Sequence, residues 1–470
     1  MKIMKKAILL LMVSLALSIP ALAAGRGRAF ETLRARSGSP TDPAIPAPVP
    51  AKGAFGWIQP QAQAISPVLP QPLKEWTVLV YVNGKNDLEV AGLYNLNKME
   101  LTGSGDSLNI VTEIGRMNGQ DNDVHFDGDW TGSRRYYVTL DTDEMTISSP
   151  ELQSFANVDM GDWRHLVDFA RWGMENFPAR HYALIIWNHG SGWITSKDTV
   201  PAEMTKGISY DYETKNHIST PELGAALRAI GKVDILAYDA CLMQMAELLY
   251  EVKGHADYVV GSEETVPGFG FPYDGFLPEF AAAQKSPEQL AAAMVRAYAG
   301  FYGSRKDKVT ISAVRMSALP EFMDAFNNWT DALLGSDLKP RLKLKIFRTS
   351  HYAYDDNRDL YDFAARTAKA DPALAGRAEN LMTVLRDRLL IDAATVNLPA
   401  GHSNGLAVYL PFKGYNRRYD QLAWAGATRW DEFLKIMKDV PAGSCVDPGP
   451  GADMTQTYHY MECIVESDSD

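Results

Sequence analysis

Four short, mostly apolar runs constrain the fold of this chain more than any other feature of its sequence. They are rich in β-branched and aromatic residues, and they occupy residues 76–82, 108–114, 182–187 and 233–238. Such runs predict strands that are buried on both faces. Segments with a helical spacing of apolar residues separate the strands, at 88–101, at 162–176 and from residue 220 onward. Strands that alternate with helices predict an α/β fold with a mostly parallel sheet.

The later part of the chain is less regular but continues the same pattern. Helices are expected at 287–300 and 377–390, and strands at 309–314 and 406–410. We expect these segments to complete the sheet and to add a smaller helical region. The sequence divides accordingly into a catalytic core at 73–315, a region completing the fold at 316–440 and an acidic tail at 441–470.

The first 72 residues are expected to lie outside the fold. Three lysines precede an apolar run at 7–17, which is too short for a transmembrane helix, and Ala21-Leu22-Ala23 supplies a small-residue cleavage site. We therefore predict a signal peptide at 1–23 and an exported protein, whether periplasmic, cell-surface or secreted. Residues 24–72 hold nine prolines and few large apolar residues, which predicts a flexible leader. No later stretch is long and apolar enough to span a membrane.

The charge is unevenly distributed along the chain. The net charge is −12, yet residues 1–72 carry eight Lys or Arg and two acids, so the remainder carries −18. An acidic body of this kind argues against nucleic acid as a partner.

The three cysteines divide into a pair and a single residue. Cys445 and Cys463 lie close together in the tail, and outside the cytosol they are candidates for a disulfide. Cys241 is then a free thiol. A lone cysteine of this kind is either a small buried hydrophobe or a nucleophile.

Two of the predicted strands run directly into residues capable of covalent chemistry. His189 follows the strand at 182–187, and Cys241 follows the strand at 233–238. Ligands bind at the carboxyl ends of parallel strands, so the imidazole is expected to reach the thiol and act as its base and acid. A helix predicted from Leu242 is expected to lower the pKa of the thiol. The backbone amides of Gly190 and Cys241 are the expected oxyanion donors.

The strings around these residues resemble those of a known family. WNHGSGW (187–193) and DACLM (239–243) are similar to the His and Cys motifs of the clostripain family of cysteine peptidases, relatives of caspases, gingipains and legumains. Further similar strings are NGKNDLE (83–89), GISYDYETKNHISTPELGAAL (207–227), GSEETVPGFGFPYDGFL (261–277), NRDLYDFA (357–364) and GLAVYLP (405–411). The resemblance covers most of residues 76–435. It implies a caspase-like three-layer sandwich and a cysteine endopeptidase that acts through a thioacyl-enzyme.

The resemblance also implies cleavage after Arg or Lys. Asp239 occupies the position that the family associates with a basic P1 side chain, although it could equally be the N-cap of the helix after Cys241. Ser262 and Glu263 are weaker candidates for the same pocket.

Self-cleavage in the segment after the His motif is a further implication. Lys197 and Lys206 are the candidate residues there, and the bond between Lys206 and Gly207 is preferred. The sequence requires no cofactor. Calcium is possible by resemblance alone, because no EF-hand spacing of ligands is present.

Two other readings remain open. Residues 401–405 fit the G-x-S-x-G pattern of serine hydrolases, with Ser403 as the nucleophile, but the segment that follows is predicted to be a strand where a nucleophile elbow requires a helix. The other reading is a catalytically inactive caspase-like protein that binds partners at the cell surface.

Overall fold

The computed structural model describes residues 73–120, 122–125, 127–193, 207–282 and 285–440. Several predicted features lie outside these ranges: the signal peptide at 1–23, the leader at 24–72, Lys197, Lys206 and the tail at 441–470 with Cys445 and Cys463.

Nine strands of the described chain form one sheet. They are β1 (Lys74–Asn83), β2 (Leu108–Arg116), β3 (Gly132–Tyr137), β4 (Glu151–Phe155), β5 (Ala179–Trp187), β8 (Val233–Asp239), β9 (Ala256–Gly261), β10 (Val309–Arg315) and β12 (Leu390–Val396). Their order is β12-β10-β9-β8-β5-β1-β2-β3-β4. The strands from β9 to β2 pair in parallel, and the pairs outside them are antiparallel. The mostly parallel sheet predicted from the sequence is therefore confirmed.

Two short sheets accompany the large one. β6 (Ile208–Asp211) and β7 (Asn216–Ile218) form a hairpin, and β11 (Asn357–Asp359) pairs with β13 (Ala407–Tyr409). The strand predicted at 406–410 therefore exists, but it pairs with β11 and does not extend the main sheet. The hairpin is tied to the end of β5 because Ser191 and Gly207 exchange hydrogen bonds at 3.0 and 3.1 Å.

Twelve α-helices of the described chain surround the sheet. They are α1 (Glu89–Glu100), α2 (Trp163–Asn176), α3 (Thr220–Ile230), α4 (Ala246–Glu251), α5 (Tyr273–Ala281), α6 (Pro287–Gly303), α7 (Leu319–Gly335), α8 (Lys339–Arg348), α9 (Leu360–Ala370), α10 (Pro372–Val384), α11 (Ala423–Ala427) and α12 (Trp430–Asp439). No helix among the described residues combines the length and the apolar character needed to cross a bilayer.

The side chains of β1 show why the fold has three layers. Val78 and Val80 belong to one buried core, which α1, α5 and α6 cover, whereas Leu79 and Tyr81 belong to a second core on the opposite face. Successive residues of a strand point to opposite faces, so a strand that is apolar throughout requires cover on both sides. Helices α2, α3 and α4 cover the second face together with α7 to α12.

One predicted helix start is wrong. The helix expected from Leu242 begins only at Ala246, since Leu242 has a positive φ of 63° and the amide of Gln244 bonds to the carbonyl of Ser262. The helix predicted from residue 220 begins there, and its N-cap is Ser219, which forms a capping box with Glu222.

Candidate active site

The ends of β5 and β8 bring His189 and Cys241 to the same height on one edge of the sheet. The two strands are parallel neighbours, and Trp187 is paired with Asp239. His189 and Cys241 each follow two residues beyond that pair. Both side chains line one cavity, whose walls are Leu88, Trp187, Asn188, His189, Asp239, Cys241, Val266, Pro267, Gly268 and Gly270. The structure therefore brings together the two residues on which the sequence analysis depends.

The sulfur of Cys241 is partly buried and receives backbone hydrogen bonds. The amide of Val266 donates to Sγ at 3.2 Å, and the amide of Gly190 also donates to the thiol group. Burial nevertheless raises the pKa of the Cys241 thiol to about 11. The expectation of a thiol acidified by a helix terminus is wrong, because α4 begins five residues further on. In the free protein the neutral thiol is the stable form.

A glycine is required beside the sulfur. A Cβ atom at position 190 would lie 2.4 Å from the carbonyl oxygen of Cys241, so the two backbones approach more closely than any side chain would permit. The amide of Gly190 thereby reaches the thiol group, as is needed for the oxyanion role predicted for it.

The imidazole of His189 is held by a residue that the sequence analysis did not single out. Asp87, in the loop between β1 and α1, places Oδ1 2.7 Å from Nε2 of His189. The side chains are 32% and 30% exposed, so both are partly accessible to solvent. β1 is the parallel neighbour of β5, and Asp87 follows its carboxyl end, as His189 and Cys241 follow theirs. The rule that selected those two residues selects Asp87 as well.

Asp239 lies in the wall of the cavity and is 3% exposed. Its Oδ2 accepts hydrogen bonds from the amide of Phe271 at 2.9 Å and from the hydroxyl of Tyr273 at 3.1 Å. Burial raises the pKa of this carboxyl to about 7. The alternative role as a helix N-cap is wrong, because the residue before α4 is Met245.

The backbone of Gly270 packs directly against the carboxyl group of Asp239. It has a φ of 63°, and a Cβ atom there would lie 2.8 Å from Oδ2 of Asp239. The segment that contains it also supplies Pro267 and Gly268 to the cavity wall.

Ser262 and Glu263 are not brought to this cavity. Ser262 bonds to the carbonyl of Glu264 at 2.9 Å and to the hydroxyl of Thr310 at 3.1 Å. Glu263 is buried against Tyr352, Ser403 and Gly405. The expectation that these two residues line the pocket is therefore wrong, because the chain turns inward after β9.

Ser403 lacks the surroundings of a nucleophile. Its hydroxyl is buried and bonds to the carboxyl of Glu263 and, at 3.2 Å, to the hydroxyl of Tyr352. The next regular element is β13, where a nucleophile elbow would continue into a helix. The serine hydrolase reading has no support in this geometry.

One group of described side chains has the spacing of a metal site. Ligand atoms of Asp123, His125 and Asp129 all lie within 4.8 Å of one another, and the side chains of His125 and Asp129 are largely exposed. Ca²⁺ is bound by oxygen atoms, so a group with an imidazole does not fit the calcium that the resemblance suggested.

The chain is similar in sequence and in fold to known proteins. The model of the clostripain family matches residues 80–436. Clostripain from Hathewaya histolytica is 29% identical over 225 residues, which are 44% of this chain and 42% of that protein. The chain thus matches less than half the length of this relative.

Two solved structures have the same fold at low sequence identity. An inactive zymogen of a C11 protease from Parabacteroides distasonis is 19% identical, with a TM-score of 0.57 over 77% of this chain and 99% of that one. A secreted C11 cysteine protease from Bacteroides thetaiotaomicron, solved with an irreversible peptide inhibitor, is also 19% identical, with a TM-score of 0.56 over 76% and 99% of the two chains. Because the family model covers most of the sequence, this chain belongs to the clostripain family.

Proposed function

We propose that this chain is an exported cysteine endopeptidase that hydrolyses peptide bonds after Arg or Lys. The observation that carries the proposal is the placement of His189 and Cys241 two residues beyond the paired ends of β5 and β8, at one shared cavity. A nucleophile and a base on adjacent strand ends are what acyl transfer requires.

The raised pKa of Cys241 determines how the reaction begins. Because the thiol is neutral in the free protein, His189 removes its proton as the sulfur attacks the substrate carbonyl. The amides of Gly190 and Cys241 stabilise the resulting oxyanion. The imidazolium then gives the proton to the leaving amine, which departs and leaves a thioacyl-enzyme. Water, deprotonated by His189, hydrolyses that thioester and regenerates the thiol.

Asp239 supports the preference for a basic P1 residue. It is the carboxyl group in the cavity wall beside Cys241, and charged hydrogen bonds between a carboxylate and a guanidinium or ammonium are strong in a partly desolvated pocket. The relative clostripain and the secreted C11 protease are consistent with a peptidase of this kind. Export rests on the signal peptide predicted at 1–23.

Self-activation is part of the same proposal. A cut after Lys206 or Lys197 would fall between His189 and Cys241 in the sequence, and the neighbour from Parabacteroides distasonis was solved as an inactive zymogen. Residue 207, where the described chain resumes after residue 193, lies beside the hairpin that contacts His189.

The decisive experiment compares the wild type with Cys241→Ala. The wild type should cleave peptidyl-arginine or peptidyl-lysine fluorogenic substrates, and the variant should lose at least 10³-fold in kcat, an order-of-magnitude expectation for removal of a nucleophile. N-terminal sequencing should find a new terminus between residues 195 and 207 in the wild type alone. Equal cleavage by Cys241→Ala would overturn the proposal. A wild type that cleaves no peptide would favour the inactive binding protein.

A further inference from the structure

The hydrogen bond between Asp87 and His189 joins the loop after β1 to the base of the proposed reaction. We propose that Asp87 is a positioning residue, whose carboxylate holds Nε2 of His189 and leaves Nδ1 to exchange protons with the sulfur and the leaving group. This inference rests on the proposed function and adds a third member to the two residues named there.

The donor in this hydrogen bond follows from the charge of the carboxyl group. Burial opposes ionisation of Asp87, but the hydrogen bond and charge of His189 outweigh it and hold the pKa of Asp87 below its usual value. An ionised carboxylate only accepts hydrogen bonds, so Nε2 of His189 carries the proton. One tautomer of the imidazole is thereby selected, with its free electron pair on Nδ1. The carboxylate also stabilises the imidazolium that forms after proton transfer.

The backbone around Asp87 is fixed on both sides. The side chain of Asn86 donates to the carbonyl of Tyr210 at 2.6 Å and accepts from the amide of Leu88 at 2.9 Å. The side chain of Asn122 donates to the carbonyl of Asp87 at 2.9 Å. The carboxylate therefore approaches His189 from an immobilised loop, as precise orientation of a base requires.

Tyr212 completes the arrangement from the hairpin. Its hydroxyl donates to the carboxylate of Asp87, and its ring lies parallel to the imidazole, with the centroids 6.2 Å apart. Tyr210 approaches the imidazole edge-on at 6.3 Å. The imidazole is thus contacted by one carboxylate and two phenol rings, and it lines the same cavity as the thiol of Cys241.

The test is a series of variants at position 87, assayed on a peptidyl-arginine substrate. Asp87→Ala should lower kcat on the order of 10²-fold, the scale at which an acid–base group contributes, with KM within about twofold of the wild type. Asp87→Asn, which keeps the size and an acceptor oxygen but not the charge, should fall between Ala and the wild type. Tyr212→Phe should lower kcat less than either. Asp106→Ala removes an exposed aspartate from the opposite end of the sheet and should behave as the wild type.

A second readout separates this inference from the proposed function. Alkylation of Cys241 by iodoacetamide, followed by peptide mapping, needs no peptide substrate and should be slower in Asp87→Ala than in the wild type. If Asp87→Ala is alkylated more slowly than the wild type but the wild type cleaves no peptide, the role of Asp87 stands and the proposed peptidase activity is rejected. Unchanged or increased kcat in Asp87→Ala, or a rise in KM alone, would overturn the role of Asp87. If Asp87→Ala no longer melts cooperatively, the same kcat and alkylation measurements on the isosteric Asp87→Asn variant test the role of Asp87 instead.

Discussion

Asp239 is a carboxyl group that titrates near neutral pH because the fold removes it from water. Its pKa rises to about 7 on burial, although the amide of Phe271 and the hydroxyl of Tyr273 stabilise the ionised form by hydrogen bonds. A cationic side chain in the cavity would stabilise the ionised form further. Binding of a basic residue and loss of the carboxyl proton are therefore linked.

This linkage predicts a pH dependence specific to basic substrates. Below about pH 7 the carboxyl of Asp239 is neutral in the free protein. The ratio of kcat/KM for a P1 arginine substrate to that for a P1 norleucine substrate should therefore rise with pH by up to about tenfold per unit, and level off above pH 7. Taking the ratio removes ionisations that both substrates share. In Asp239→Asn the ratio should be low and independent of pH. A ratio in the wild type that falls with pH would contradict the assignment.

The sequence located His189 and Cys241 but gave no role to Asp87 and misplaced Glu263, although all four residues follow strands of the main sheet. His189 and Cys241 were located because their strands are apolar on both faces. Asp87 obeys the same rule but lies in an Asn-Asp turn, a common way to end a strand without any function. Glu263 was misplaced because the direction of the chain after β9 depends on contacts with Tyr352 and Thr310, which are remote in sequence.

At the scale of elements, the hairpin of β6 and β7 is fastened to the loop after β1 by a buried ion pair. Lys85 and Asp211 are fully buried, with Nζ 3.1 Å from Oδ2, and Glu213 is a second carboxylate in contact with the same ammonium. The same loop carries Asp87, and the same hairpin carries Tyr212. The ion pair therefore fixes the relative position of the two elements that meet at His189.

Breaking the ion pair between Lys85 and Asp211 should destabilise the folded protein. Lys85→Met leaves the carboxylate of Asp211 buried without a counter-charge and should lower the free energy of unfolding by about 3–5 kcal/mol, measured by urea denaturation. The double variant Lys85→Met/Asp211→Asn should recover part of the lost free energy of unfolding, because it no longer buries an unpaired carboxylate. Lys98→Met, which breaks a partly exposed pair with Glu144, should cost less than about 1 kcal/mol. Equal effects of the two lysine variants would contradict this account.

In the centre of the sheet the sequence predicted every parallel strand except β9. Farther out it predicted β10 but not β3, β4 or β12. The five parallel strands include the four predicted runs, because their burial on both faces gives continuous apolar segments. β3 was missed because it carries arginines, one of which, Arg135, is buried and forms ion pairs with Glu113 and Asp168. The start of α4 was wrong because the segment before it is held by a bridge between Met245 and Ala407, a contact that helix propensity does not include.

For the whole molecule, a pair of buried carboxyl groups connects the sheet to the C-terminal region. Glu263 follows β9, and Asp359 ends β11. The hydroxyl of Tyr352 lies 2.7 Å from the first carboxyl and 3.1 Å from the second. Burial raises the pKa of both groups, to about 6 for Asp359, and the negative charge of each disfavours ionisation of the other. A phenol has only one proton to donate, so the cluster is best satisfied when a carboxyl group is protonated.

The stability of the protein should therefore decrease as the pH rises through this range. Carboxyl groups with a raised folded-state pKa stabilise the fold below their unfolded pKa, and the contribution is lost as pH rises through the folded pKa. Between pH 5 and pH 8 the free energy of unfolding of the wild type should decrease by about 1 kcal/mol or more relative to that of Glu263→Gln, measured by urea denaturation at each pH. Glu379→Gln, at an exposed position, is the matched control and should follow the wild type. If the wild type became more stable relative to Glu263→Gln between pH 5 and pH 8, the predicted direction of the pH dependence would be wrong.

The neighbour order of β5 and β8 has a consequence for a chain cut between residues 193 and 207. The amino-terminal fragment would hold β5 and the imidazole, and the carboxy-terminal fragment would hold β8 and the sulfur, so neither piece alone would contain a complete dyad. The interface between the two fragments would lie in the middle of the sheet, where β5 pairs with β8 from Ala183 to Trp187. Such a nicked protein should migrate as two bands in denaturing gels and elute as a single species under native conditions, because the halves could part only by unfolding.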